Sequence, residues 1–131
     1  MKLADALRIR QRVSPDSEPF NVVFACGFTP LHMETMLAAH VQQRLSSRKV
    51  AIRTGLYGDI VSGLQDATTN AHAIAIVIEW FDLDPRLGLR SAGSWAASAA
   101  ADIVTSSRTM LARIRTAIAQ VPAAIPIAVS L

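Results

Sequence analysis

Residues 73–78 read Ala-Ile-Ala-Ile-Val-Ile, an unbroken apolar run of strand length with β-branched side chains at four of its six positions. A strand apolar on both faces needs cover on both faces, as in a parallel sheet held between two helix layers. Three other segments fit the same description: Val22-Val23-Phe24-Ala25, Val50-Ala51-Ile52, and residues 125–131. Helical patterns lie between them. Met33, Met36, Leu37, Val41 and Leu45 recur at helical spacing over 30–46, with Thr29 as the expected N-cap and Pro30 at the first helical position. Asp59 is placed to cap a helix running to about residue 68. Trp95, Ile103, Met110, Leu111, Ile114 and Ile118 give a long helix over 94–120 its apolar face, with Arg108 and Arg115 on another face and Pro122 as its stop. This alternation predicts a three-layer α/β fold. Four parallel strands in the order 2-1-3-4 run through right-handed crossovers with helices on both faces, in the flavodoxin-like manner.

Ahead of the first strand, Leu3, Ala6, Leu7 and Val13 make a partial apolar stripe over 3–13, and the polar, proline-containing stretch 14–19 reads as a loop. The chain therefore divides into an N-terminal helix and linker, 1–19, and an α/β domain, 20–131. The fourth strand falls at a sheet edge with little after it as cover, and an open edge invites pairing. The expectation is either a segment of a longer protein, truncated at its C-terminus, or a homo-oligomer formed through the edge strand.

Composition narrows the classes of function. With 51% hydrophobic and 18% charged residues the chain is globular rather than disordered. Its net charge of +3 comes from 13 Lys and Arg against 10 Asp and Glu, without a dense basic block. The nearest approach to one, Lys2, Arg8, Arg10 and Arg12, reads as a solvated helix face, so a nucleic-acid partner is not expected. Cys26 is the only cysteine, which rules out an internal disulfide and suits a reducing compartment. Residues 1–20 are too charged for a signal peptide, and no apolar run approaches the ~20 residues of a membrane span. A cytoplasmic protein with no membrane partner is expected.

In a parallel sheet of this kind ligands bind beyond the carboxyl ends of the strands. That rule selects three loops: Cys26-Gly27-Phe28-Thr29-Pro30-Leu31-His32, Arg53-Thr54-Gly55-Leu56-Tyr57-Gly58-Asp59, and Glu79 through Asp82, Asp84 and Arg86 to Arg90. Each residue has a bland and a chemical reading. Cys26 is a small buried hydrophobe, or a nucleophile whose pKa a nearby helix N-terminus would lower. Thr29 is a cap or a nucleophile. His32 is a surface hydrogen-bonding group, a general base or a ligand. His40 reads as a residue at the edge of the core, and His72 as solvent-facing. Gly58-Asp59 is a turn and cap, while Gly55 and Gly58 would also let a ligand approach the backbone. Neither GxGxxG nor a lysine-bearing P-loop occurs. Glu79, Asp82 and Asp84 are carboxylates at spacings a divalent cation can use. With histidine and cysteine support thin, no metal and no cofactor is expected. Asp84 and Arg86 form a local ion pair about Pro85, or Arg86 and Arg90 hold an anionic substrate group.

The three segments Val22 to His32, Thr54-Gly55-Leu56-Tyr57-Gly58-Asp59 and Glu79-Trp80-Phe81-Asp82-Leu83-Asp84-Pro85-Arg86-Leu87-Gly88 together resemble the N-terminal region of FkbH-like bacterial biosynthetic proteins, which is related to SGNH/GDSL hydrolases. The resemblance spans roughly residues 20–131. It implies a flavodoxin-like sheet and a setting in polyketide, capsule or other secondary biosynthesis. In longer members of the family a neighbouring haloacid-dehalogenase-type domain acts on small phosphorylated or carrier-bound acyl groups. SGNH enzymes carry a nucleophilic serine in a Gly-Asp-Ser turn just after the first strand; here the turn reads Cys26-Gly27-Phe28-Thr29. The second family glycine corresponds to Gly55 or Gly58. The family's Gly-x-Asn-Asp motif donates an asparagine to the oxyanion hole. The matching stretch here is Glu79-Trp80-Phe81-Asp82, and an ionised carboxylate only accepts hydrogen bonds. The late Asp-x-x-His pair has no match before Leu131. A serine-esterase mechanism therefore lacks its nucleophile, its donor and its base.

Two functions follow. One is an SGNH-like domain that binds, and in a catalytic version transforms, a small acyl or carrier-linked group through Cys26, Thr29, His32 and Asp82, with Gly27, Arg53, Gly55, Tyr57, Gly58, Asp59, Glu79, Asp84, Arg86 and Arg90 as the binding residues. The other is a scaffold domain that kept the fold and lost the chemistry.

Overall fold

A computed structural model describes residues 1–55, 58–66, 70–88 and 96–131, with the backbone alone at residue 66. Four strands, β1 (Pro19–Cys26), β2 (Lys49–Thr54), β3 (Ala73–Val77) and β4 (Ile127–Ser130), form one sheet in the order β2-β1-β3-β4. Every pairing is parallel. The helices are α1 (Leu3–Gln11), α2 (Met33–Arg44), α3 (Ile60–Asp66), α4 (Trp80–Leu83) and α5 (Ala100–Ala119).

Strand alternation assigns the two faces. Val23 and Ala25 of β1 and Ile74 and Ile76 of β3 point into the larger core with Ile60 and Leu64 of α3 and Ile114 and Ala117 of α5. Val22 and Val50 point the other way and pack on Ala38 of α2. α1 in turn lies on α2, with Ala6 fully buried. The three-layer arrangement read from the sequence is the one observed.

Buried Gln42 fixes the α2–β2 turn. Its amide nitrogen donates to the carbonyls of Leu45 (2.9 Å) and Arg48 (2.5 Å), and its oxygen accepts from the Val50 N–H (2.9 Å). Three backbone groups at the end of a helix and the start of a strand are satisfied by one side chain.

Several boundaries differ from expectation for local reasons. α2 begins at Met33, because Leu31 adopts φ 42° in the left-handed region and interrupts the turn that Pro30 opens. Thr29 is consequently exposed and is not the cap. The segment after β3, read as loop, contains α4 and a 3-10 turn at Pro85–Leu87. β3 is fully buried on one face only, since Ala73, Ala75 and Val77 are half-covered. His40 is exposed rather than at the edge of the core. Trp95 lies outside the described residues. β4 sits at an open edge with Ala128, Val129 and Ser130 exposed, as its place in the sequence implied.

Candidate functional site

Parallel register sets Cys26 beside Val77 and Phe24 beside Thr54, so the chain leaves β1, β2 and β3 at one end of the sheet. β1 is the middle strand of the three, and the turn after it meets the turn after β3. The contact is close: a Cβ built on Gly27 would stand 1.8 Å from Oδ1 of Asp82. Only a residue without a side chain leaves room for that carboxylate.

Asp82 is held by its own helix. α4 is a four-residue turn with Glu79 at its N-cap, and Asp82 Oδ2 accepts the Glu79 N–H at 2.8 Å. This is half of a capping box, and it points the second oxygen at the β1 turn. Cys26, buried at the end of β1, donates its thiol to the Phe28 carbonyl at 3.3 Å. Burial pushes its pKa up, and the negative charges of Asp82, Glu34 and Glu79 push the same way. The expected help from a helix N-terminus does not prevail, because α2 starts at Met33, seven residues beyond Cys26. Burial and these charges favour the protonated thiol, the weaker nucleophile.

The remaining candidates divide among other tasks. Thr29 and His32 are exposed on the loop before α2, and His32 occupies the N-cap position without a side-chain cap bond. At the end of β2, Arg53 and Gly55 are exposed. Gly55 is needed because a Cβ there would come within 2.7 Å of Gly63 Cα, where α3 crosses the strand. Gly58 turns at φ 79°. Asp59 caps α3, accepting the Ser62 N–H at 2.9 Å and its hydroxyl at 2.5 Å, and these two bonds hold its carboxyl below the usual range. Tyr57 and Arg90 lie outside the described residues.

Asp84 and Arg86 answer to each other. The Arg86 fork donates Nε–H to Asp84 Oδ1 (2.8 Å) and Nη2–H to Oδ2 (2.7 Å), while its backbone N–H also reaches Oδ1 (2.9 Å). Nη1 goes to Asp102 in the first turn of α5 (2.7 Å). Asp84 is 2% exposed. Its hydrogen bonds from Arg86, with one from Ser106, hold its carboxyl far below the ordinary range and hold the guanidinium correspondingly charged. The local-pair reading of these residues describes them, with an extension to α5 that the sequence did not suggest. Asp84 thus serves the joint to α5, whereas Asp82 faces the β1 turn.

Two features of the rim escaped sequence reasoning. Glu34, in the first turn of α2, adds its charge near Cys26. The other is a set of exposed apolar side chains on the segments that follow β1 and β3: Leu31 (76% exposed), Met33, Trp80 (60%) and Phe81. Trp80-Phe81 directly after a strand was a visible signal, since two large aromatics outside any apolar periodicity need a reason to be there. Phe81 lies against Gly88, where a Cβ would come within 2.8 Å of its ring. Among the described residues no group of three or more His, Cys, Asp or Glu is arranged to hold a metal ion. A hollow of about 430 Å³ lies between α3 and α5 and is lined by Val61, Thr109, Arg113 and Thr116 among others. No protein-family model, curated protein or solved structure matches the chain.

Proposed function

We propose that this chain is an SGNH-like binding domain of bacterial biosynthesis that receives a neutral acyl group, free or carrier-linked, at the β1–β3 mouth and does not hydrolyse it. The juxtaposition of Cys26 with Asp82 carries this reading. At the place of the family's nucleophile stands a thiol kept protonated by burial and by three carboxylates. At the place of its oxyanion donor stands a carboxylate already engaged by Glu79. Neither can perform its half of an acyl transfer.

Recognition falls instead to the apolar rim. Leu31, Met33, Trp80 and Phe81 offer an acyl chain contact surface that is otherwise left to water. The negative charges of Glu34, Glu79 and Asp82 disfavour a free carboxylate or phosphate close to the mouth, which leaves an ester or thioester as the fitting form. The left-handed Leu31 displays its side chain outward, and strain of this kind is characteristic of positions that a binding surface requires.

The test pairs a covalent with a non-covalent readout. Incubation with a fluorophosphonate and with a thiol-directed acyl probe, followed by mass spectrometry, is expected to give no adduct at neutral pH. Titration with butyryl-N-acetylcysteamine is expected to shift tryptophan fluorescence, and Trp80→Ala is expected to abolish the shift while Trp95 still emits. Asp82→Asn removes one of the charges that suppress Cys26 and is expected to raise its rate of modification several-fold. An acyl adduct lost on Cys26→Ala would replace binding with catalysis. A thioester that leaves Trp80 unmoved would reduce the domain to a scaffold.

A further inference from the structure

A further exposed apolar surface lies along one flank of the sheet's long helix, α5. α5 carries three parallel stripes, each repeating every seven residues and so nearly aligned along the helix. Thr109 and Thr116 line the groove against α3. One position on, Ile103, Met110 and Ala117 enter the core or pack against it. One further on, Val104, Leu111 and Ile118 fall on the flank turned from α3, toward the open sheet edge. Val104 is 48% and Leu111 39% exposed, and only Ile118 packs partly into the core. The sheet continues this surface. Val129 pairs with Ile76 and therefore shares its face, the one α5 covers, yet it is 56% exposed.

Charge on this flank is of one sign. From residue 103 to 131 the chain has three arginines, Arg108, Arg113 and Arg115, with no lysine and no acidic residue. The first 102 residues hold the other 10 cations and all 10 acids, so the net charge of +3 equals that of residues 103–131, the part of α5 beyond Asp102 and the segment through β4. Arg113 lines the groove with α3. Arg108 and Arg115, themselves seven residues apart, border the stripe of Val104 and Leu111, and both are exposed.

We infer that this flank is a docking surface for an acidic amphipathic helix of a partner protein, laid along α5 above β4 with its apolar stripe on Val104, Leu111 and Val129 and its carboxylates on Arg108 and Arg115. An apolar seam at seven-residue spacing bordered by charges at the same spacing is the pattern by which helices choose partners of opposite charge. A second copy of this chain fits poorly. Antiparallel pairing of two α5 helices about Leu111 brings Arg108 of one toward Arg115 of the other, a like-charge contact. A nucleic acid would leave the aliphatic stripe unused, and among the described residues the flank offers no aromatic side chain for bases.

The test uses the full chain and two fluorescein-labelled synthetic helical peptides. Both carry leucine or isoleucine at every third or fourth position; one is flanked by glutamate and the other by lysine at the same places. Anisotropy is expected to show saturable binding of the glutamate peptide and roughly tenfold or weaker binding of the lysine peptide. The double substitution Arg108→Glu with Arg115→Glu, at exposed positions that leave the circular dichroism unchanged, is expected to reverse that preference. Leu111→Asp is expected to abolish both. Equal binding of the two peptides overturns the proposal. So does growth of molar mass with concentration in sedimentation that Leu111→Asp removes, which would make a second copy the occupant. Displacement of the glutamate peptide by a mixed-sequence single-stranded DNA, or by vesicles of phosphatidylserine and phosphatidylcholine, would assign the surface to those polyanions and overturn it as well.

Discussion

Two of the places where the molecule exposes large apolar side chains differ in the sign of the charge around them. At the rim, Leu31, Met33, Trp80 and Phe81 stand among Glu34, Glu79 and Asp82. At the α5–β4 flank, Val104, Leu111 and Val129 stand beside Arg108 and Arg115, and the acid nearest in sequence, Asp102, is taken up by Arg86. The rim is built from aromatics on short turns, held by capping bonds and close glycine contacts. The flank is built from aliphatics on a regular 20-residue helix. A surface with turns and aromatics can fit a small shape, whereas a straight helix flank fits another helix. The contrast is the ground for proposing a small group at the one and a partner helix at the other.

The turn after α4 is tied to the start of α5, and breaking that tie is expected to give the largest effect. Arg86 leaves the turn after α4 and reaches Asp102 at the start of α5, with buried Asp84 as its anchor. Arg86→Leu strands the Asp84 carboxylate in the interior, the costly way to break such a pair. It is expected to cause the greatest drop in melting temperature of any substitution considered, with loss of both thioester and peptide binding. Asp102→Asn touches only the exposed arm and is expected to cost far less. The pH dependence has a definite sign. Asp84 titrates far below its unfolded value of about 3.9, so its stabilising contribution is fully present above that pH and fades as pH falls through the lower folded value. Urea midpoints between neutral pH and the acid limit should fall steeply in the wild type and less steeply in Asp84→Asn, which already lacks the contribution. An acid limb unchanged by Asp84→Asn would show that Asp84 makes no such contribution.

The parts of this picture that were legible in the sequence are those set by local periodicity. Ala73 to Val77 announces a parallel strand by composition alone, and Asp59 three residues before Ser62 announces a helix start. The strand order 2-1-3-4 followed from the alternation and the handedness of crossovers. What stayed hidden is set by single backbone angles or by contacts between distant segments. Thr29-Pro30 has the form of a helix start, but left-handed Leu31 moved that start to Met33. α4 spans four residues, too few to show a helical period. The Asp84–Arg86 pair is two residues wide and readable, while its extension to Asp102 and Ser106 depends on where α5 lands. The acidity around Cys26 is gathered from α2, α4 and the turn before α4, and each segment alone looks ordinary.

A middle-sized effect addresses how the rim is held. Gly27→Ala places a methyl group where Asp82 Oδ1 now sits. The carboxylate is short and can rotate away, so the expected cost is the lost cap on Glu79, about 1 kcal/mol in urea unfolding. With Asp82 displaced, Cys26 is also expected to react faster with a thiol reagent at neutral pH. The peptide affinity of the α5 flank should not change. A Gly27→Ala protein with unaltered thiol reactivity would remove Asp82 from the set of charges that quiet Cys26.

The smallest effect tests the flank. The threonines of α5 return their hydroxyls to their own helix, Thr105 to Ala101, Thr109 to Thr105 and Thr116 to Ala112, at 2.9, 2.9 and 3.0 Å. Ser107 does not: its Oγ is buried and, among the described residues, has no partner. It lies on α5 between the core stripe and the outer stripe, where Val104 and Leu111 are exposed. A buried hydroxyl without a bond costs free energy, and serine is also a weaker helix former than alanine. Ser107→Ala is therefore expected to raise stability by about 0.5–1 kcal/mol in urea unfolding, against the usual direction of point substitutions. The same substitution should leave the glutamate-peptide affinity within about twofold, because the hydroxyl faces inward and the docking surface is carried by its neighbours. A loss of stability would mean that the oxygen is paired in solution. A loss of peptide affinity would mean that the hydroxyl itself reaches the docked helix, turning a purely apolar seam into one with a polar contact at its centre.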